Sequence, residues 1–432
     1  MNRDLVRSVF FYSLDLLVIG LAILWAFSGT KTVLAGETVI SRLATVYALT
    51  HHRTFYIRDY PGVPPNPFED KTIDKVKGKK GIISSKPPVL SIIMAGEYIL
   101  LRKLGFSLDN PDHLKSIVRF YIFSLIIPLY VISLIITWLF LKKTGGSPLV
   151  RTATIVLLSF GTQWSAFSCH FTNHLPGGAL LLIYLYCLWN IIQGKNPILF
   201  GLLSGILASL VFTIDLPLTI FVVGGFLYAL WLTGFSKLIW VPIGALPILA
   251  LHFTVMFHIT GNILPVQISN KPFLFEDSYW RHPIGIDALH HPKWLYAVNI
   301  MVGAKGLFLL YPVLILFILN FIPKIWRSYH KDIKIALFAL GVCFLFLNIY
   351  YIFSTNNYGG MSYGFRWHTG SMPILALGTV PILEKYKKNK VFWLCWFVLF
   401  LISTYSTFEC RENPWTIDNE WTTRLIFGPL SQ

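Results

Sequence analysis

Charge is what this chain lacks most. Only 13% of its 432 residues are Asp, Glu, Lys or Arg, and 55% are hydrophobic, whereas a soluble domain carries about a quarter charged residues. That balance excludes a soluble globular protein. Acid is scarcer still, with 20 Asp and Glu against 36 Lys and Arg, a formal net charge of +16. Beside long apolar runs, such an excess marks basic loops at a membrane face in contact with anionic lipid, and no nucleic-acid partner is expected. Cysteine is sparse. Cys169, Cys187, Cys343, Cys395 and Cys410 form no CxxC pair and no metal-ligand spacing, so they read as packing residues, with Cys169 and Cys410 as a pair that could join outside the cell. There is no Asn-x-Ser/Thr sequon, internal repeat or low-complexity segment; the missing sequon is compatible with a bacterial protein.

What the chain has is apolar runs of spanning length, about 20 residues of helix each. They recur at 8–27, 117–141, 150–168, 175–193, 197–213, 216–233, 237–257, 306–323, 333–353, 370–384 and 390–407. The chain therefore reads as an all-α polytopic membrane protein with about 11 transmembrane helices. Arg3 and Arg7 ahead of the first run resemble a secretory signal, but its apolar stretch is long for one, so a retained span is expected.

One further run, GIISSKPPVLSIIMAGEYILLRKLG at 81–105, is also apolar, yet it carries Lys86, Glu97, Arg102 and Lys103. Charge decides its place. With the N-terminus inside, eleven spans put Arg3, Arg7, Lys142, Lys143, Arg151, Lys195 and a series ending in Lys387, Lys388 and Lys390 on the inner side, against only Asp4, Asp332 and Glu384. A further span at 88–104 would turn every basic loop after the first outward, against the positive-inside bias of short loops. The segment is therefore expected to be an interfacial helix. So is ETVISRLATVYAL at 37–49, where Val39, Ile40, Leu43, Val46 and Tyr47 recur at helical spacing.

The chain then divides into a first transmembrane helix (1–27), a first large extracytoplasmic loop with interfacial helices (28–116), transmembrane helices 2–7 (117–257), a second large extracytoplasmic loop (258–305), transmembrane helices 8–11 (306–407) and an extracytoplasmic tail (408–432). Within the first loop, TIDKVKGKKGIIS suits a hairpin around 77–80, with helix as the alternative.

The stretch SSKPP has a mechanical meaning. Pro87 and Pro88 suit the first turn of a helix, and Ser84 or Ser85 can cap it. Free amides, helix dipole and Lys86 would then converge on a spot suited to an anion such as phosphate, unless the lysine only snorkels to lipid headgroups. His170, Asn173 and His174 share one short outer turn; His170 and His174 with Asp215 are candidate ligands for a divalent metal ion, although the neutral Asn173 would weaken such a site. No other cofactor is expected. Asp15, inside the first span, is either functional or a polar contact between helices.

Taken in order, these segments carry a likeness. A first span is followed by GETVISRLATVYAL, then KPPVLSIIMAGEYILLRKLG, then TNHLPGGALLLIYLYCLW and, late in the chain, YGFRWHTGSMPILALG. The series resembles GT-C fold glycosyltransferases of the protein O-mannosyltransferase and lipid A aminoarabinose transferase type. The likeness covers about the first 195 residues, returns near 358–380 and is mainly topological between them.

The resemblance implies a GT-C-like bundle in the cytoplasmic (inner) membrane, its active site facing the extracytoplasmic side. It implies a transferase that moves a sugar from a polyprenyl-phosphate carrier to a lipid, glycan or protein acceptor of the cell envelope, with a first-loop carboxylate as base. Relatives open the first interfacial helix with an acidic pair whose first member is catalytic. Here that place is Gly36, and only Glu37 remains, which leaves Glu37, Asp74 and Asp59 as candidate bases. By the same resemblance Lys86 matches the Lys-Pro-Pro lysine and Arg366 the arginine before the late outer helix, both binding donor phosphate. Tyr358, Tyr363, Asn173 and His174 are candidate substrate ligands, the tyrosines alternatively an interfacial belt. Asp287, His290, His291, Glu276 and Asp277 of the second loop are assigned to acceptor recognition. The rival classes are a sugar-lipid flippase or transporter, whose paired broken helices are not evident, and a noncatalytic subunit that keeps the scaffold.

Overall fold

The computed structural model describes residues 3–30 and 36–430, with side chains from residue 10 onward. The side chains of Arg3 and Arg7, part of the expected charge bias, lie outside the described residues. The chain runs through α1 (Arg3–Gly29), α2 (Glu37–His52), α3 (Pro88–Lys103), α4 (Pro111–Lys143), α5 (Pro148–Phe160), α6 (His174–Ile192), α7 (Pro197–Ile214), α8 (Leu216–Thr233), α9 (Phe235–Thr260), α10 (Lys331–Ser354), α11 (Met372–Lys385) and α12 (Lys390–Glu412).

Eight helices among the described residues, α1, α4, α6 to α10 and α12, are long and apolar enough to cross a membrane. This is a multi-pass helical membrane protein. The expected eleven are not matched, because three runs fold short. The run at 150–168 ends as a helix at Phe160, before Gly161. The run at 306–323 breaks into Leu307–Leu310, Pro312–Leu314 and Ile315–Leu319, since Pro312 has no amide to continue the helical ladder. The run at 370–384 opens on a 3-10 turn and gives the 14-residue α11.

The segment at 88–104 forms α3, 16 residues long, and packs against α2. It buries Val89, Leu90, Met94, Tyr98 and Leu101 and exposes Ile99, Leu100 and Leu104, the amphipathic pattern of a helix lying against a surface. Between the two helices lies a small antiparallel sheet of β1 (Tyr56–Arg58), β2 (Lys75–Lys77) and β3 (Ile82–Ser84), in the order β1-β3-β2. The expected hairpin is there, with Lys75 opposite Ser84 and Val76 opposite Ile83. The third strand, β1, was not anticipated. Its close passage requires Gly81, where a Cβ would stand 2.6 Å from the Arg58 carbonyl oxygen. All five cysteines are free, and Cys169 and Cys410 are buried apart from any disulfide.

Asp15 proves to be a helix contact. Fully buried, it accepts from Arg151 Nε at 2.6 Å, Trp138 Nε1 at 2.9 Å and Thr152 Oγ1 at 2.5 Å, which ties α1 to α4 and α5. Trp138→Phe removes one donor to this carboxylate and is expected to cost about 1.5 kcal/mol. The cost is read as a lowered unfolding midpoint of the detergent-solubilised protein; an unchanged midpoint would contradict that role.

Candidate active site

The hairpin places Asp74 directly before β2 and Lys86 two residues after β3, so antiparallel pairing brings the two together. Lys86 Nζ lies 2.9 Å from Asp74 Oδ2, which also accepts from Thr38 Oγ1 at 3.2 Å. Helix α2 fixes the arrangement from below: Ser41 Oγ donates to the Asp74 carbonyl at 2.7 Å and lies 2.6 Å from Ser84 Oγ. Helix α3 begins at Pro88 as expected, with Pro87 at the N-cap position, but neither serine caps it. Ser84 Oγ instead accepts from the Lys86 amide at 3.1 Å, and Ser85 Oγ is buried without a partner.

Two arginines complete the cleft. Arg42, buried on α2 one turn beyond Thr38, donates from Nη1 to the Thr38 carbonyl at 3.1 Å, and its Nε has no partner. Arg366 lies 5.4 Å over the ring of Trp415; its buried Nε is unpartnered, and it makes no hydrogen bond or ion pair among the described residues. Guanidinium groups with unused donors are poised for a planar oxyanion.

These groups act on one another electrostatically. Burial pulls Arg42 down to about 10 and lowers Lys86 and Arg366 as well, while Asp74 opposes the shift in all three. Burial alone would raise Asp74. The charge of Lys86 and its bond, the charge of Arg366 and the Thr38 hydroxyl outweigh burial and hold the carboxyl below the usual range. Asp287, from the second large loop, interacts electrostatically with the same groups. Burial pushes it up, its bond from Tyr279 Oη at 3.1 Å lowers it, Asp74 and Glu37 raise it and Arg366 lowers it; the net shift is upward. Asn357 also donates to it.

The other candidates fall in different places. Glu37 is exposed, and its Oε2 accepts from the Ile73 amide at 2.9 Å, tying the start of α2 to the residue before Asp74. Asp59 sits in the left-handed region with φ 60°, its side chain 62% exposed and paired with Arg58 at 3.0 Å, away from the cleft. Tyr358 and Tyr363 are buried in the core. Tyr358 is stacked on Tyr296 with its hydroxyl bonded to His291 and Asn299, and Tyr363 donates to Glu409 at 2.6 Å. The glycines around them, Gly359, Gly360 and Gly364, take positive φ and fold the loop inward.

The expected metal set is not assembled. His174 Nδ1 lies 2.8 Å from Asp215 Oδ2, while His170 Nε2 is turned to the Arg411 carbonyl at 2.9 Å and burial pushes it down to about 4. Among the described residues no group of three or more His, Cys, Asp or Glu is placed to hold a metal ion. Asn173 Nδ2 donates to the Ile214 carbonyl at 3.2 Å, again a structural bond. The Asp215 charge does act on Arg42. His290, Glu276 and Asp277 are exposed.

Sequence reasoning missed Arg42, although an arginine within an otherwise apolar helix face was a visible signal. Asp287 was assigned to its loop but not to these charged groups, and no spacing marked it. Comparison with protein-family models and with curated proteins finds no match to this chain.

Proposed function

We propose that the protein is a membrane glycosyltransferase that moves a sugar from a polyprenyl-phosphate carrier to an acceptor hydroxyl on the extracytoplasmic side. The observation that carries this reading is the ion pair of Lys86 with Asp74, with Arg42 and Arg366 acting on the same carboxylate and their buried Nε atoms left unpartnered. Of the three candidate bases, Asp74 is favoured over Glu37 and Asp59, because it alone is both buried and coupled to the cations.

Without donor, Asp74 is engaged by Lys86. Donor phosphate draws Lys86 onto itself, and the carboxylate is released to accept a proton. The acceptor oxygen then attacks the anomeric carbon as Asp74 takes its proton. The bond from that carbon to the phosphate oxygen breaks with inversion, and polyprenyl phosphate leaves with the bonding electrons. Its developing charge is held by Lys86, Arg42 and Arg366, donors already positioned in a site of low polarity. Asp287, from the second loop, orients the acceptor.

The test is incubation of purified, reconstituted protein with radiolabelled polyprenyl-phosphate sugars and envelope acceptors. Labelled acceptor supports the proposal; labelled donor crossing the bilayer chemically unchanged would instead identify a flippase. The side of the cleft is checked separately. Asp59→Cys, in a Cys395→Ser background, is expected to react with a membrane-impermeant maleimide added to intact cells, and labelling only after lysis would place the cleft on the other face.

A further inference from the structure

An apolar crevice of about 330 Å³ lies in the half of the bundle away from the cleft. Its walls are the ends of α4 and α6, the middle of α8, the first half of α10 and part of α11, represented by Phe140, Trp189, Gly225, Ala336 and Pro381. Helix α6 starts at His174 beside the cleft, and Trp189 follows it by roughly 22 Å at 1.5 Å per residue, so the two sites are distinct. Small residues shape the walls. A Cβ on Gly225 would come within 2.7 Å of Leu185 Cδ2, and Ala336 leaves space where a larger side chain would fill it. Apolar surface of this kind left in water is unfavourable by about 25 cal/mol per Å²; hydrocarbon would fill it.

The rim differs chemically from the walls. Tyr186, itself a lining residue, accepts from Lys143 Nζ at 2.5 Å, and that ammonium stands 5.1 Å over its ring. On the same face of α4 as the lining residues Ile136 and Phe140, Lys143 stands at the mouth, and Lys195 follows the end of α6. Nearby acids are already engaged, Asp332 with His330 and Glu384 with Lys387. An apolar slot with a cationic mouth has the polarity of an anionic amphiphile.

We propose that this crevice holds an acyl chain of an anionic phospholipid, with the headgroup phosphate at Lys143 of the rim. The inference does not depend on the transferase reading. Native mass spectrometry of the full-length protein with equal amounts of dioleoyl phosphatidylglycerol and dioleoyl phosphatidylcholine should show preferential retention of the former. Lys143→Gln is expected to reduce that preference about fivefold, the equivalent of ~1 kcal/mol for one lysine near a membrane surface. Ala336→Phe should abolish retention while leaving helix content by circular dichroism unchanged. Should that variant misfold, Ala336→Cys crosslinked to a photoactivatable acyl chain in wild-type-like protein provides the same reading. Equal retention of both lipids, or full retention by folded Ala336→Phe, would overturn the proposal. Selective retention of polyprenyl phosphate, lost in the same variant, would also overturn it and assign the crevice to the carrier.

Discussion

Asp74→Asn is expected to lower sugar transfer by about 10²- to 10⁴-fold, the usual contribution of a positioned general base, with donor binding retained. Asparagine preserves the shape and can still accept from Thr38, but it cannot take a proton. Glu37→Gln should stay within a few-fold of wild type, because its amide oxygen still accepts from the Ile73 amide that Glu37 now engages. Lys86→Ala should fall by about 10²- to 10³-fold through loss of leaving-group stabilisation. The outcome that sinks this assignment is a reversal, with Glu37→Gln inactive and Asp74→Asn active.

Acid dependence gives an independent readout. Because the folded value of Asp74 is depressed, its contribution to stability is complete above the ordinary carboxylate range and is lost as pH falls through the folded value. In Lys86→Ala, burial acts against a weaker opposing field, so the folded value rises toward or above the ordinary one, and the acid-induced loss of stability contributed by Asp74 shrinks or reverses. Thermal midpoints recorded from neutral pH down through and below the ordinary carboxylate range for both proteins check the sign, and superimposable profiles would argue that the pair is not formed in solution.

Lys305→Met should be destabilising by about 3–5 kcal/mol, the cost of leaving a buried charge without its partner. Lys305 and Glu420 lie 2.5 Å apart with both side chains 0% exposed. Glu420 Oε1 also accepts from the Gly364 amide at 2.7 Å, Lys305 donates to the Ser362 carbonyl at 3.0 Å, and the Lys305 carbonyl accepts from the Phe365 amide at 3.2 Å. Two further contacts come from the tail: the Pro414 carbonyl accepts from the Tyr363 amide at 2.9 Å, and Trp415 lies beneath Arg366. The tail therefore clamps the turn that delivers Arg366. The double variant Lys305→Met/Glu420→Leu should recover most of the lost stability, short of about 1–3 kcal/mol for the unpaired Gly364 amide. Chemical unfolding of single and double variants measures this; additive losses would refute the coupling.

Much of the scaffold was legible locally. The Lys-Pro-Pro stretch marked the start of α3 at Pro88, the charge distribution argued against a span there, and TIDKVKGKKGIIS suited a hairpin around 77–80, where the β2–β3 turn lies. Local pattern is ambiguous where a run is apolar for tertiary reasons. The segments at 306–323 and 370–384 are apolar because they pack inside the bundle, where Leu314, Phe317, Met372 and Leu375 are buried, and burial by protein leaves the same composition as burial by lipid. The tyrosines at 358 and 363 carry a related ambiguity: an aromatic near a polar loop has the same sequence signature whether it faces a ligand or the core.

The sequence by itself determined a multi-pass helical membrane protein, with amphipathic helices between its first two long spans, because length, hydropathy and periodicity are properties of contiguous residues. Only the tertiary structure decided that Asp74, rather than Glu37 or Asp59, pairs with Lys86 and lies in the field of Arg42 and Arg366. That choice rests on hairpin register, on the face that α2 presents and on loops separated by hundreds of residues. A charge's partner and burial arise from packing in space, which no short stretch of chain encodes.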